Sequence, residues 1–174
     1  DPDGNSVPEN ERGEIVIRGL NVMTGYFNNP DANEKAFKNG WFRSGDEGFY
    51  VKDDSGLSYF FITGRLKELI IRGGVNLSPF EIDEVINKAP GVKAGIAVGF
   101  ENDWYGEEVG AFVKLKEGFD PDEKAIIDFC REHLTFAKSP KVVVFGDDIP
   151  VTSTGKYQRM KVAHLFKKWK EVQF

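Results

Sequence analysis

Lys156 follows a glycine inside the polar stretch IPVTSTGKYQR, residues 149–159. A lysine so placed can bind phosphate oxygens. A nucleotide-cradling loop of the Walker kind needs Gly, four residues, then Gly-Lys-Ser/Thr. Here Pro150 stands where the first glycine belongs and Tyr157 follows the lysine, so that reading fails. Taken alone, Lys156 reads most simply as a solvated surface lysine. Asp46, in WFRSGDEG (41–48), lies among glycines just ahead of an expected strand. A carboxylate there can accept hydrogen bonds from ribose hydroxyls; a plain turn aspartate is the simpler reading. Arg65 and Lys67 follow in ITGRLKELIIRGG (62–74). An arginine fork can bind phosphate or ribose oxygens in a way lysine cannot. Gly73 and Gly74 either make a hairpin turn or let a ligand approach the backbone closely.

The remaining candidates read as structure. Cys130 falls on the apolar stripe of a helix and is inert core. His133 and His164 have no second ligand at metal spacing, so no metal site is expected. No Ser-His-Asp set can be assembled. Trp104 and Tyr105 read as loop packing. Net charge is −5, which argues against a general nucleic-acid surface. No apolar run approaches the roughly 20 residues of a membrane span. One cysteine rules out an intrachain disulfide, and a reducing, cytoplasmic setting fits. Hydrophobic residues make up 40 % and charged residues 29 %, as in an ordinary globular protein.

The elements that must position these residues are punctuated clearly. GEIVIRG (13–19) is a strand, and GFYVKDDSGLSYFFITG (48–64) a hairpin around Asp-Asp-Ser-Gly. Between them Asn29 caps a helix, Pro30 opens it and Gly40 is expected to end it. KELIIRGGVN (67–76) is a hairpin turning at Gly73–Gly74. SPFEIDEVINKA (78–89) is a helix with Ser78 and Glu81 as a capping box and an apolar stripe of Ile82, Val85, Ile86 and Ala89. GIAVGF and EVGAFVKLK are strands. DPDEKAIIDFCREHL (120–134) starts with Asp120 as cap and buries Ile126, Ile127, Cys130 and Leu134. KVVVF (141–145) is a strand. RMKVAHLFKKWK (159–170) reads as an amphipathic helix with Val162, Leu165, Phe166 and Trp169 on one face; its basic side could meet anionic lipid, though a solvated face is simpler. The fold class is therefore α+β. A small domain over 65–174 has helices on a mainly antiparallel sheet, and a different, β-rich unit precedes it over 1–64. The opening DPDG is turn chemistry with no strand before it, which leads to the expectation that this is a piece of something larger.

The motifs occur in a telling order. GYFNNPDANEKAFKNGWFRSGDEG, ITGRLKELIIRGGVNLSPFEIDEV, WYGEEVGAFV and KSPKVVVFGDDIPVTSTGKYQR together resemble the C-terminal part of the adenylate-forming acyl-CoA synthetases. That superfamily also holds aryl-CoA ligases, luciferases and peptide-synthetase adenylation domains. The resemblance implies ATP, CoA and a carboxylic acid, foremost a fatty acid, as substrates. The carboxylate attacks the α-phosphate to give acyl-AMP and pyrophosphate; the CoA thiol then expels AMP. It implies that 1–64 end a large N-terminal adenylation domain and that 65–174 form its mobile lid. By the same resemblance Asp46 binds ribose, Arg65 lies near ribose and phosphate, and Lys67 is the hinge. Gly73 and Gly74 line the CoA tunnel, and Lys156 bridges carboxylate and phosphate oxygens during adenylation. Mg²⁺ is implied by ATP, with no ligand in this chain. The phosphate loop and acyl pocket lie upstream in the family, so the 174 residues alone are expected to be inactive. The rival readings are a peptide-synthetase adenylation module and a non-catalytic docking module.

Overall fold

A computed structural model describes all residues 1–174 and divides them into two compact units, Asp1–Lys67 and Glu68–Phe174. The sequence places the boundary at Gly64–Arg65. The structure carries it to Lys67–Glu68 because the last strand of the first unit runs on through Arg65, paired to Asp46.

The first unit is built on one long strand. Its elements are β1 (Gly13–Ile17), α1 (Pro30–Ala36), β2 (Phe37–Lys38), β3 (Trp41–Lys52) and β4 (Ser58–Arg65). β3 is central, and β1, β2 and β4 all pair with it antiparallel. Asn29 caps α1 through a 3.1 Å bond from the Ala32 amide, with Pro30 in the first turn as expected. Gly40 does not end that helix. The helix stops at Ala36, and Asn39 and Gly40, both with positive φ, turn the tight β2–β3 hairpin instead. Stacked and tilted ring pairs, Phe49–Phe61 and Tyr50–Phe60, cross the β3–β4 ladder. None of the hydrophobic residues of this unit is fully buried, and Leu20, Phe27, Phe60 and Ile62 are all largely exposed.

The second unit holds the hydrophobic core. It comprises β5 (Ile70–Arg72), β6 (Val75–Leu77), α2 (Pro79–Ile86), β7 (Val92–Asn102), β8 (Gly106–Leu115), α3 (Glu123–His133) and β9 (Val142–Phe145). The sheet order is β6-β5-β8-β7, antiparallel throughout, with β9 joined parallel to β8. Alternation along the strands loads both faces. Ala97, Val109, Ala111 and Val113 pack with Ile82, Ile86, Ile126, Ile127 and Cys130 under α2 and α3. Ile96, Val98, Phe100 and Phe112 pack on the opposite face with Val162 and Phe166.

Three local readings change. Ser78 makes no side-chain capping bond to α2, and Glu81 pairs with Lys138 at 2.7 Å, an ion pair from elsewhere in the fold. Asp122, not Asp120, caps α3, accepting from the Ala125 amide at 2.9 Å, while Glu123 accepts from the Val143 amide at 2.8 Å and so fixes where the helix begins. The C-terminal segment is not an α-helix. It winds as 3₁₀ turns over Arg159–Lys161 and Ala163–Trp169, with bonds such as Leu165 N–H to Val162 O. Arg159 is locked to α2 and Phe166 is wedged on β8, which holds both ends of that segment to the sheet.

Candidate functional site

Asp46 lies inside β3, not ahead of it. It faces Arg65 of β4 in register, and their side chains form an ion pair at 3.1 Å, both partly exposed. A bulge aims this pair. Between Glu14 and Val16 the β1–β3 register shifts, so that Ser44, Gly45 and Asp46 bow out opposite a single residue of β1. Gly45 adopts φ +74°, a conformation that disfavours any side chain with a Cβ. Glu14 braces the bow by accepting from the Gly45 amide at 2.9 Å and pairing with Arg43, and Ser44 Oγ accepts from the Asp46 amide at 3.0 Å. Beside it the buried Glu47 accepts from Thr63 and Arg12. One Asp46 oxygen meets the arginine, and the carboxylate stays accessible enough to accept from a hydroxyl pair.

Lys67 is exposed in the 3₁₀ turn Leu66–Glu68, where the two units divide. Gly73 and Gly74 turn the β5–β6 hairpin with φ +56° and +82°, the primed turn their sequence requires. Both are exposed, with no side chain to keep a ligand from the backbone. The turn is held from one side: the Gly73 amide donates to Tyr105 O at 2.8 Å, and the Arg72 guanidinium stacks 3.9 Å over the Tyr105 ring. Tyr105 is thus a support for this turn. Arg72 in turn donates to the fully buried Glu108 at 2.7 Å, a bond that raises the arginine pKa further.

Lys156 is exposed and its ammonium has no ion-pair partner, while its backbone is tightly held. Val151 and Tyr157 form a β-bridge across the loop. Thr152 N–H donates to Lys156 O at 2.8 Å, the Lys156 amide returns a bond to Thr152 Oγ1 at 3.1 Å, and Gln158 N–H donates to Pro150 O. The result is a rigid turn that presents one free cation. Such a group stabilises negative charge appearing on phosphate or carboxylate oxygens.

Sequence reasoning missed the groups beneath this turn. Arg159, which it read as part of a solvated helix, is buried and forms two hydrogen bonds with Asp83 of α2, at 3.0 and 2.6 Å. Burial pushes the Asp83 carboxyl up from its ordinary value, against the opposing pull of Arg159. The available signal was Asp83 itself, an acid one turn from Pro79 and Ile86 on the buried side of α2.

The structure brings Asp46 to Arg65 in the first unit, and sets Gly73–Gly74 and Lys156 on two separate loops of the second. No cluster of three His, Cys, Asp or Glu side chains could hold a metal ion, and no helix is long and apolar enough to cross a membrane.

Part of the chain resembles known proteins. Residues 81–156 match the AMP-binding enzyme C-terminal domain, the match ending on Lys156. A probable CoA ligase of Humulus lupulus is 45 % identical over 154 residues, covering 88 % of this chain and 29 % of the relative. An oxalate–CoA ligase of Arabidopsis thaliana is 44 % identical over 157 residues, covering 90 % and 30 %. The solved o-succinylbenzoate-CoA synthetase of Bacillus subtilis, in complex with its acyl-adenylate intermediate, superposes with a TM-score of 0.81 at 33 % identity, covering 92 % of this chain and 32 % of that one. The chain thus spans about a third of the length of the proteins it matches.

Proposed function

We propose that the chain is the C-terminal portion of an ATP-dependent acid–thiol ligase of the adenylate-forming AMP-binding kind, a reading supported by its match to their C-terminal domain and its likeness to CoA ligases. A carboxylate attacks the α-phosphorus of ATP, forming acyl-AMP and releasing pyrophosphate. The CoA thiol then attacks the acyl carbon, its proton is lost, and AMP leaves. The observation that carries this reading is Lys156: an unpaired cation on a rigid, exposed turn at the end of the family match.

Each residue has one task in this scheme. Lys156 donates to the carboxylate and α-phosphate oxygens as phosphorus becomes five-coordinate. Asp46 accepts from the ribose hydroxyls, held in place by Arg65, which also lies near the phosphate. Lys67 is the pivot about which residues 68–174 act as a lid, and the Gly73–Gly74 turn borders the path of the CoA arm. Mg²⁺ accompanies ATP, but this chain offers no donor cluster that fits it, and none of these tasks runs through it.

We further propose that residues 1–174 alone make no acyl-adenylate. The first unit buries none of its large hydrophobics, which fits a surface made to be covered by the rest of a larger domain. The test uses the full-length ligase. Lys156→Ala is expected to lower ATP–pyrophosphate exchange by about 10²–10³-fold, while thioester formation from supplied acyl-adenylate is largely spared. Unchanged exchange would overturn the catalytic reading in favour of a docking module.

A further inference from the structure

Arg159 follows Lys156 by three residues and is only 7 % exposed. Its Nη1 donates to Asp83 Oδ1 and to the Ala97 carbonyl, each at 3.0 Å, and its Nη2 donates to Asp83 Oδ2 at 2.6 Å. Asp83 Oδ1 accepts as well from the Ala97 amide at 2.6 Å. One guanidinium therefore joins the foot of the Lys156 turn to α2 and to the middle of β7. Its Nε has no hydrogen-bond partner and faces Glu68 Oε2 at 3.6 Å, so the short bonds all run to Asp83 and Ala97.

A buried ion pair is a poor way to add stability, because desolvation offsets most of the attraction. What it supplies is direction: two parallel bonds fix the plane and the position of the guanidinium together. The turn above it is short and closed by its own backbone bonds, from Gln158 N–H to Pro150 O and across the Val151–Tyr157 bridge. Little slack remains between the fork and the Lys156 backbone, from which the ammonium's stem starts. A shift of Arg159 is passed on to Lys156.

Resting on the ligase reading above, we propose that Asp83 and Arg159 are positioning residues for Lys156, which set the place of its ammonium for adenylation and do not touch substrate. They act on one half-reaction only. Asp83→Asn keeps the shape of the side chain and removes the charge; Arg159→Lys keeps the charge and loses the fork.

In the full-length ligase, Asp83→Asn is expected to lower kcat for ATP–pyrophosphate exchange by about 10–100-fold, the size of an ångström-scale misplacement, with KM for ATP and thioester formation from supplied acyl-adenylate changed by less than about twofold. In a Lys156→Ala background, Asp83→Asn should cause no further loss, because its effect passes through the lysine. A parallel fall of both half-reactions, an unchanged exchange rate, or an equal loss in the Lys156→Ala background would each overturn the proposal. If Asp83→Asn does not fold, Arg159→Lys carries the same measurements. The underlying reading fails separately, and visibly, if Lys156→Ala alone leaves exchange intact.

Discussion

Phe166 packs directly against the bare backbone of Gly110: a Cβ at Gly110 would come within 2.4 Å of the Phe166 ring. This contact seats the C-terminal 3₁₀ segment on β8, and Phe100 stacks on the same ring at 5.4 Å. Phe166→Ala should therefore cost about 3–5 kcal/mol, the range for a buried ring removed without collapse. Gly110→Val should destabilise through overpacking, by about 1–3 kcal/mol or more. Urea unfolding of the chain measures both, and wild-type midpoints would refute the contact.

The Asp83–Arg159 pair has a stability signature of its own. Asp83→Ala leaves a buried guanidinium without its counter-charge, at an expected cost of about 3–5 kcal/mol. Replacing both partners by apolar residues, Asp83→Leu with Arg159→Met, should recover most of that loss. A double variant no more stable than Asp83→Ala would show that the fork holds the fold and not only the turn above it.

That pair also marks where reading the sequence stops. Strand alternation, the Gly73–Gly74 turn and the apolar stripes of α2 and α3 are local patterns, and the structure places each of them as the pattern requires. The place of Lys156 on a polar loop was legible for the same reason. Arg159 was not, because its partner lies 76 residues away. From sequence it is one more basic residue on a helix surface. The start of α3 shows the same limit in miniature. Asp120 and Asp122 both have capping chemistry, and the choice falls to Asp122 with Glu123 bound to the Val143 amide, a contact between distant parts of the chain. The bulge at Gly45 depends on Glu14 of another strand and was equally invisible.

Cys130 should be chemically silent in the folded chain. It is fully buried on the inner face of α3, and burial pushes its thiol up to about 11. Iodoacetamide at neutral pH should leave it unmodified in native protein and alkylate it in denaturant, since the thiolate is the reacting form. Rapid native alkylation, read by mass spectrometry, would contradict this packing.

Lys141 gives a pH dependence. Its ammonium is set over the Phe136 ring at 3.8 Å and donates to the carbonyls of Phe136 and Ser139. Burial pushes its pKa down to about 8, against the pull of Glu108 and with the repulsion of Arg72 and Arg131. An unfolded lysine titrates near about 10.4. Below pH 8 both states are protonated and this group adds no slope. Between the two values the unfolded chain binds more protons, so stability rises with pH. The urea midpoint should climb through that window, and Lys141→Met should remove the climb. A wild-type midpoint that tracks the variant's through that window would show that Lys141 contributes no slope.

Asp46 and Arg65 should divide their effects by chemistry. If Asp46 accepts from both ribose hydroxyls, its loss removes charge-assisted hydrogen bonds worth about 1.5–3 kcal/mol, or roughly 10–100-fold in affinity. The ribose is common to ATP, acyl-AMP and AMP, so Asp46→Asn in the full-length ligase should weaken all three. Lys156→Ala acts only where charge develops at phosphorus and should leave AMP binding nearly unchanged. Arg65→Ala frees Asp46 from its 3.1 Å partner and removes a cation near the phosphate, so it should weaken ATP more than adenosine. Equilibrium binding of adenosine, AMP and ATP to the three variants separates these cases. Equal losses for adenosine and ATP in Arg65→Ala would assign that arginine to holding Asp46 alone.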